Sequence, residues 1–371
     1  MPTPIRRIAI ATGGGDAPGL NAVIRAVVLA ASRLGWECWG IRDGFNGLLA
    51  PASCLGEPVT RLLPEAVHGI GHLGGTVIGS TSRGNPLHYP EPGGGAARDR
   101  SGELLALIRA SGFDALVLAG GDSSMEIAAR LQEGGLPVVG VPKTIDNDLD
   151  GTVQAFGFDT AVNFATACID RLHATADSQH RVMVVETMGR YGGWIALHAG
   201  LAGGAHAILL PEIAFDIDAI AGCVARRHAA GRGHAIVVAA EGARPRGGEE
   251  VLRAAAGAGH AERLGGIGAW VEARLAGRLG QECRSVALGH LLRGGSPSAF
   301  DRVTAARFGA AAVRALARGE SGVMVALAGQ DIGAVPLAAV AGRNRRVPLE
   351  GDTIRTAREL GVCFGDDLAP A

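Results

Sequence analysis

Aromatic side chains are scarce, at 4% of 371 residues. Surplus charge is scarce too: 35 basic residues stand against 36 acidic ones, a formal net charge of −1. A core with so few rings must rest on Ala, Val, Ile and Leu, and the 47% hydrophobic content supplies them. The near-neutral balance argues against a nucleic-acid or membrane-surface partner, since both need a basic field. It leaves room for a local basic cluster that holds a small anion. Long apolar runs are missing: none reaches the roughly 18 residues of a membrane span. The apolar run behind Arg6 and Arg7 is about five residues, short of the roughly 7–15 of a signal peptide. Six cysteines, at 38, 54, 168, 223, 283 and 363, form no CxxC pair and no Cys/His ligand spacing. The expectation is a soluble cytoplasmic protein with reduced thiols.

Glycine, by contrast, is abundant, with 58 residues grouped at 13–15, 93–95, 120–121, 192–193, 203–204 and 294–295. Such groups mark tight turns or places where backbone approaches a ligand; 93–95 reads as a plain turn. Apolar stretches at 7–12, 115–121, 138–143, 181–187, 207–212, 235–242 and 285–290 read as buried strands. Most are apolar throughout, as a sheet covered on both faces requires. Helical patterns lie between them, as in LNAVIRAVVLAASRL (20–34), where Leu20, Val23, Ile24, Val27, Val28, Ala31 and Leu34 keep one face. ELLALIRAS, SMEIAARLQ and TAVNFATACIDRLHAT behave likewise. The alternation predicts an α/β fold with mainly parallel sheets in two or three domains. Residues 84–100 are the most loop-like. In such sheets ligands bind beyond the carboxyl ends of the strands, so the polar tails GGGDAPG, GGDSS, PKTIDND, ETMGR, EG and GH belong to one reading.

GGGDAPGLN follows the first strand and opens a helix, where bare backbone N–H groups and the helix N-terminus favour a phosphate. It is neither GxGxxG nor a Walker loop. GGDSS repeats the logic through Gly121, Ser123 and Ser124; Asp122 can hold Mg²⁺, cap the next helix, or do both. PKTIDND crowds Asp146, Asp148 and Asp150 near Lys143. Magnesium and phosphates offset such crowding, Lys143 and Thr144 donate to phosphate oxygens, and a carboxylate outside the metal shell accepts a proton. A surface cluster of Asx turns is the alternative. Arg83, Arg181, Arg190, Arg284 and Arg293, with His290, stand at strand ends or beside glycine turns and suit phosphate recognition.

In order and spacing, GGGDAPGLNAVIR, GGT…SRGNP, GGDSS, PKTIDND, GFDTA, RVMVVETMGRYGG, EG and LGHLLRGGSP…DR resemble 6-phosphofructokinases of the bacterial type, in their mixed ATP/pyrophosphate branch, across nearly the whole chain. The resemblance implies two Rossmann-like three-layer α/β/α domains with the active site in the cleft between them. A donor domain would span 1–157 plus 292–342, and a fructose 6-phosphate domain 158–291 plus 343–371. It implies Mg²⁺-dependent phosphoryl transfer from ATP or pyrophosphate to O1 of fructose 6-phosphate. Asp146 would be the base, and Thr144, Lys143, Asp148 and Arg190 would complete the catalytic set. Gly15, Arg83, Gly121, Asp122, Ser123 and Ser124 would line the donor site, with Asp122 on the metal. Thr144, Asp146, Met188, Gly189, Arg190, Glu241, His290 and Arg293 would hold the sugar. Arg181 and Arg284 would reach its 6-phosphate from a neighbouring subunit, in a homodimer or homotetramer with shared sites.

Two positions bear on the donor. Pyrophosphate-using members carry Asp after GGD and Lys before TIDND, whereas members restricted to ATP usually carry Gly at both; here stand Ser123 and Lys143. An Asp at 123 would repel a nucleotide's α-phosphate, and serine does not. Of the arginines that hold ADP or phosphoenolpyruvate in regulated members, Arg25 is retained. Leu29 and His173 replace two others, implying weak or absent regulation. Other readings are sedoheptulose 7-phosphate as acceptor, or a phosphosugar-binding subunit without turnover, which the intact Asp122, Asp146, Asp148 and Arg190 oppose. NAD kinases and lipid kinases share the GGD turn but lack the later motifs.

Overall fold

A computed structural model describes residues 5–90, 95–248, 252–254 and 263–366. Along the chain run β1 (Arg7–Thr12), α1 (Leu20–Arg33), β2 (Glu37–Ile41), α2 (Asn46–Leu49), β3 (Val59–Leu62), α3 (Ser101–Ala110), β4 (Ala115–Gly120), α4 (Asp122–Glu133), β5 (Val138–Thr144), β6 (Phe156–Gly157) and α5 (Phe158–Gln179). Then come β7 (Val182–Thr187), α6 (Trp194–Ala202), β8 (Ala207–Leu209), α7 (Ile217–Ala229), β9 (Ala235–Ala240), β10 (Leu252–Ala254), β11 (Arg263–Leu264), α8 (Ile267–Leu279) and β12 (Cys283–Ala287). The chain closes with α9 (Ala299–Ala317), β13 (Val323–Ala328), β14 (Asp331–Pro336), α10 (Leu337–Val340) and α11 (Asp352–Glu359). Two compact units result: Met1–Ile145 with Leu149–Thr160 and Arg293–Arg343, and Asp146–Asp148 with Ala161–Leu292 and Asn344–Ala371.

In the first unit the strands follow the order β14-β13-β5-β4-β1-β2-β3, with β6 beside β5. The central strands are parallel, while β2–β3 and β13–β14 are antiparallel. Side chains alternate across a strand, so β1 feeds two cores. Ile8 and Ile10 pack with Val23 and Val27 of α1 and Phe308 of α9. Ala9 and Ala11 join Leu104 and Ile108 of α3 and Met125 and Leu131 of α4. This two-sided burial explains the uninterrupted apolar strands. The loop-like stretch 84–100 holds only an isolated bridge, Tyr89 to Arg98, among its described residues. Gly93 and Gly94 lie outside them.

In the second unit β12-β7-β9-β8 form an all-parallel sheet. One face carries Phe215, Val224 of α7 and Ile267, Val271 and Leu275 of α8. On α6, Gly200 lies so close to Ile208 that an added Cβ would be 2.8 Å from its side chain. Glu186, buried near the end of β7, accepts from the N–H groups of Gly266 and Gly268. A carboxylate at that helix N-terminus fixes α8 to the sheet. Among the described residues no helix is long and apolar enough to cross a membrane.

A buried carboxylate secures α9. Ser298 caps the helix by accepting from Asp301 N–H at 3.2 Å, while Asp301 Oδ2 accepts from Thr160 N–H at 2.8 Å and its hydroxyl at 2.5 Å. Burial pushes the Asp301 carboxyl up to about 6, against the pull of the Thr160 hydrogen bonds. Between the unfolded value of 3.8 and about 6 the native state holds the extra proton. This group therefore favours folding at low pH and loses that contribution as pH rises through the window, by about 3 kcal/mol in all. Asp301→Asn cannot titrate. In urea melts of both proteins, the wild type's stability relative to the variant should fall by that order between pH 4 and pH 7. A pH-independent difference would refute the assignment.

Candidate active site

Three adjacent parallel strands deliver the first unit's polar tails to one end of the sheet. Thr12 of β1 pairs with Ala119 of β4, and Gly120 pairs with Pro142 of β5. Gly13–Gly15, Gly121–Ser124 and Lys143–Thr144 therefore emerge side by side. Packing dictates the glycines. A Cβ on Gly13 would lie 2.5 Å from Ser124 Oγ, and one on Gly120 only 2.0 Å from it. Ser124 is buried beneath both turns, whereas Ser123 is exposed, its hydroxyl 3.5 Å from Asp122 Oδ1. The N-cap of α4 is Gly121, with no side-chain cap. Asp122 is the first helical residue, so the capping role falls away, and its carboxylate sits where the helix dipole favours it.

Two cations flank the glycine loop. Lys143 is 4% exposed, and its ammonium donates to the Gly15 carbonyl at 2.6 Å. Arg293 donates to the Asp16 carbonyl at 3.2 Å and lies 2.8 Å from where a Gly15 Cβ would stand. The resemblance assigns Arg293 to the sugar; the structure places it against Gly15 and Asp16. The α1 N-terminus follows, behind Gly19 at φ 108° with no side-chain cap. The Gly13 and Gly14 N–H groups are taken by the Ala119 and Thr81 carbonyls, so the helix dipole and the two cations are what make this a candidate anion cradle. Arg83 is tied in through Thr81: Gly14 N–H donates to the Thr81 carbonyl at 3.1 Å, and the Thr81 hydroxyl donates to the Arg83 carbonyl at 2.7 Å. Beside Arg83 opens a cavity of about 880 Å³. Tyr89 is on its wall, its hydroxyl on Asn46 Oδ1 at 3.0 Å and its ring under the Arg100 guanidinium at 4.5 Å.

The acidic turn continues from β5. Asn147 is buried at φ 52°, a left-handed conformation that asparagine tolerates better than most residues. Arg345 holds it, donating from Nη2 to the Asn147 carbonyl at 2.9 Å and from its backbone N–H to the Asp148 carbonyl at 2.6 Å. Trp194 fixes Arg345 in turn: the indole donates to the Arg345 carbonyl at 3.1 Å, and the guanidinium lies 4.5 Å over the ring. Sequence reasoning missed both residues. RNRR belongs to no motif, and its only signal was a run of basic residues next to the last predicted segment.

In the second unit the carboxyl ends of β7 and β9 carry Met188–Arg190 and Glu241, and His290 follows β12. The two turns press together: Glu241 N–H donates to the Thr187 carbonyl at 2.9 Å and Gly242 N–H to the Gly189 carbonyl at 3.1 Å. A Cβ on Gly242 would stand 2.2 Å from the Arg190 carbonyl oxygen, so backbone meets backbone here. Arg181 and Arg284 sit at the opposite, amino-terminal ends of β7 and β12, both paired with Glu282. A six-residue strand, about 20 Å long, separates them from Met188 and Arg190. Of the effector positions, Arg25 donates to the His68 carbonyl at 3.4 Å, Leu29 packs on the core, and His173 contacts the Gly203 carbonyl at 2.7 Å.

Comparison with known proteins agrees with this geometry. The phosphofructokinase family model matches residues 7–316. The chain is 52% identical over 375 residues to an ATP-dependent 6-phosphofructokinase of Chloroflexus aggregans, covering 99% of this chain and 100% of that one. It is 50% identical over 362 residues to a pyrophosphate--fructose 6-phosphate 1-phosphotransferase of Amycolatopsis mediterranei, covering 97% and 100%. The crystal structure of Pichia pastoris phosphofructokinase in the T-state superposes with a TM-score of 0.79 at 28% identity; the match covers 97% of this chain and 37% of that longer one. Motif order, the strand-end cradle and these matches agree: the chain belongs to the phosphofructokinase family.

Proposed function

We propose that the protein is a 6-phosphofructokinase that transfers a phosphoryl group from ATP to O1 of fructose 6-phosphate. The observation that carries this reading is the glycine loop held between Lys143 and Arg293, with the TIDND acids issuing from the same strand as Lys143. Phosphoryl transfer has a loose, highly charged transition state, which needs positioning and countercharge rather than a covalent intermediate. The Gly15 backbone, Lys143, Thr144 and Arg83 bind donor phosphates. Asp146 takes the proton from the sugar's 1-hydroxyl, with Asp148 and the Arg345 clamp orienting the turn. Met188, Gly189, Arg190, Glu241 and His290 position the sugar.

Asp122 would hold Mg²⁺, which adds countercharge on the donor phosphates when bound. Among the described residues no group of three or more His, Cys, Asp or Glu is placed to hold a metal ion. A single hard carboxylate fits an ion that brings phosphate oxygens and water as its remaining ligands. The cavity beside Arg83 and the uncharged Ser123 favour a nucleotide donor. Lys143 favours a second reading, pyrophosphate, because an ammonium there neutralises a pyrophosphate leaving group.

Arg181 and Arg284 lie a strand's length from the sugar residues of their own unit, so they serve the 6-phosphate of a neighbouring copy. This reading calls for a homodimer or homotetramer with shared sites.

Asp146→Asn should lower kcat by about 10²–10⁴ and leave the KM for fructose 6-phosphate nearly unchanged; near-normal turnover would remove Asp146 as the base. Ser123→Asp should shift kcat/KM from Mg-ATP towards Mg-pyrophosphate by about tenfold or more, through repulsion of the α-phosphate. An unchanged ratio in side-by-side assays would eliminate that argument. Arg181→Ala should raise the KM for fructose 6-phosphate about 10–100-fold. At fructose 6-phosphate well below that raised KM, co-refolding Arg181→Ala with Asp146→Asn should regain activity that neither has alone, because one hybrid site then holds both native residues. Failure to regain it in a demonstrated mixed oligomer would show that the sites are not shared.

A further inference from the structure

Two of the six cysteines meet in the second unit, although no sequence spacing pairs them. Cys223 lies on α7 and Cys363 on the C-terminal segment. Both reach one acceptor: the His206 carbonyl oxygen takes the Cys363 N–H at 3.0 Å and the Cys223 thiol at 3.8 Å. Both also pack into the core beside Val224 and Ala239. Cys363 bridges Ala207 in parallel, so its segment covers the outer edge of β8, the end strand of the sheet.

Gly365 N–H donates to Cys363 Sγ at 3.4 Å, and the Cys223 and Cys363 side chains share a hydrogen bond. Arg226 and Arg227 add positive potential from α7 itself. Together they hold the Cys223 thiol down to about 7, chiefly through Cys363 and against burial. The other thiols are shifted the opposite way: burial pushes Cys38 up to about 12 and Cys283 to about 11, and raises Cys54 and Cys168. A half-buried thiol that loses its proton near neutral pH, hydrogen-bonded to a second thiol, is the arrangement of a reactive pair. Phosphoryl transfer uses neither sulfur.

We propose that Cys223 and Cys363 are a peroxide-sensitive dithiol that closes to a disulfide and fastens α7 to the segment covering β8. The Cys223 thiolate attacks hydrogen peroxide: an S–O bond forms, the O–O bond breaks, and the departing hydroxide leaves as water after protonation. The Cys363 thiol, losing its proton, then attacks the Cys223 sulfenic sulfur; an S–S bond forms and a second water departs. Two thiols lose two electrons and two protons, and one peroxide becomes two waters. A small dithiol reverses the step by exchange. The link crosses a long stretch of chain, so it restricts the unfolded state and guards the sheet edge from lifting.

The test treats the whole wild-type protein with about one equivalent of hydrogen peroxide. Thiols are then counted in denaturant, and the unreduced digest is mapped by mass spectrometry. The expected result is loss of two of the six thiols, a Cys223–Cys363 cross-linked peptide, recovery with dithiothreitol, and a higher Tm before reduction. Cys223→Ser should keep its remaining thiols at the same dose. Cys363→Ser should give a dimedone adduct on Cys223 and no cross-link. An unchanged wild-type thiol count, or earlier oxidation of Cys38, Cys54, Cys168 or Cys283, overturns the proposal. So does oxidation of Cys223 without the cross-linked peptide in wild type. The mapping on wild type decides the matter even where a serine variant folds poorly.

Discussion

A buried ammonium beneath a loop of glycines sets the terms for the first unit. Lys143 is nearly excluded from water, and taking a charge out of water costs several kcal/mol unless nearby groups answer it. The Gly15 carbonyl answers part of that charge directly. The loop can come so close only because it has no side chains: Gly14 is at φ 75°, and a Cβ there would stand 3.4 Å from Nζ. Lysine, glycine loop and strand order therefore form one unit of cause. Parallel strands β1, β4 and β5 bring the tails together, missing side chains let the backbone close over the cation, and the resulting positive field suits an anion with several negative oxygens. Substituting any one of the three removes the reason for the others.

The second unit follows a different rule, set by the direction of its strands. In an all-parallel sheet every strand tail lies at one end and every strand head at the other. Met188–Arg190, Glu241 and His290 share the tail end, and Arg181 and Arg284 share the head end with Glu282. Two arginines on one carboxylate are held in place, yet they have more positive charge than that partner cancels. The sheet thus keeps the two groups of residues about a strand's length apart. In the proposed function, sharing across subunits is the arrangement that would let both act on one sugar phosphate.

Strands were legible because burial on both faces leaves an apolar run of characteristic length, as in RIAIAT and AIVVAA. Helices such as α1 were legible through their single apolar face. The glycine turns were visible as composition, but their physical cause was not. Nothing in GGG or GG says that Ser124 packs under Gly13 and Gly120, or that Gly242 meets the Arg190 carbonyl. Those constraints join residues distant in sequence. Asp122 shows the limit from the other side: its position before SMEIAARL resembles an N-cap, and only the backbone reveals that the cap is Gly121. Arg345 and Trp194 were invisible for the same reason. They act on the acidic turn through a carbonyl and an aromatic face, and neither contact leaves a periodic or motif signal.

The Arg345 clamp also explains how so acidic a turn keeps one shape. Asp146, Asp148 and Asp150 crowd three acids into five residues of chain, and Asn147 takes up a backbone conformation that costs about 1 kcal/mol or more for a non-glycine residue. A guanidinium on the Asn147 carbonyl and a backbone bond to Asp148 hold the turn against both effects. Arg345 is itself pinned by Trp194, so the protein's own side chains brace the turn. Preorganisation of this kind suits phosphoryl transfer, where a base already aimed avoids reorganisation in the transition state. It also separates two tasks in the proposed reaction. In that reaction the cradle around Lys143 would meet phosphate oxygens that a nucleotide and pyrophosphate both carry. Donor choice would then be a balance, with Ser123 and the cavity walled by Tyr89 on the side of the nucleotide and Lys143 on the side of pyrophosphate.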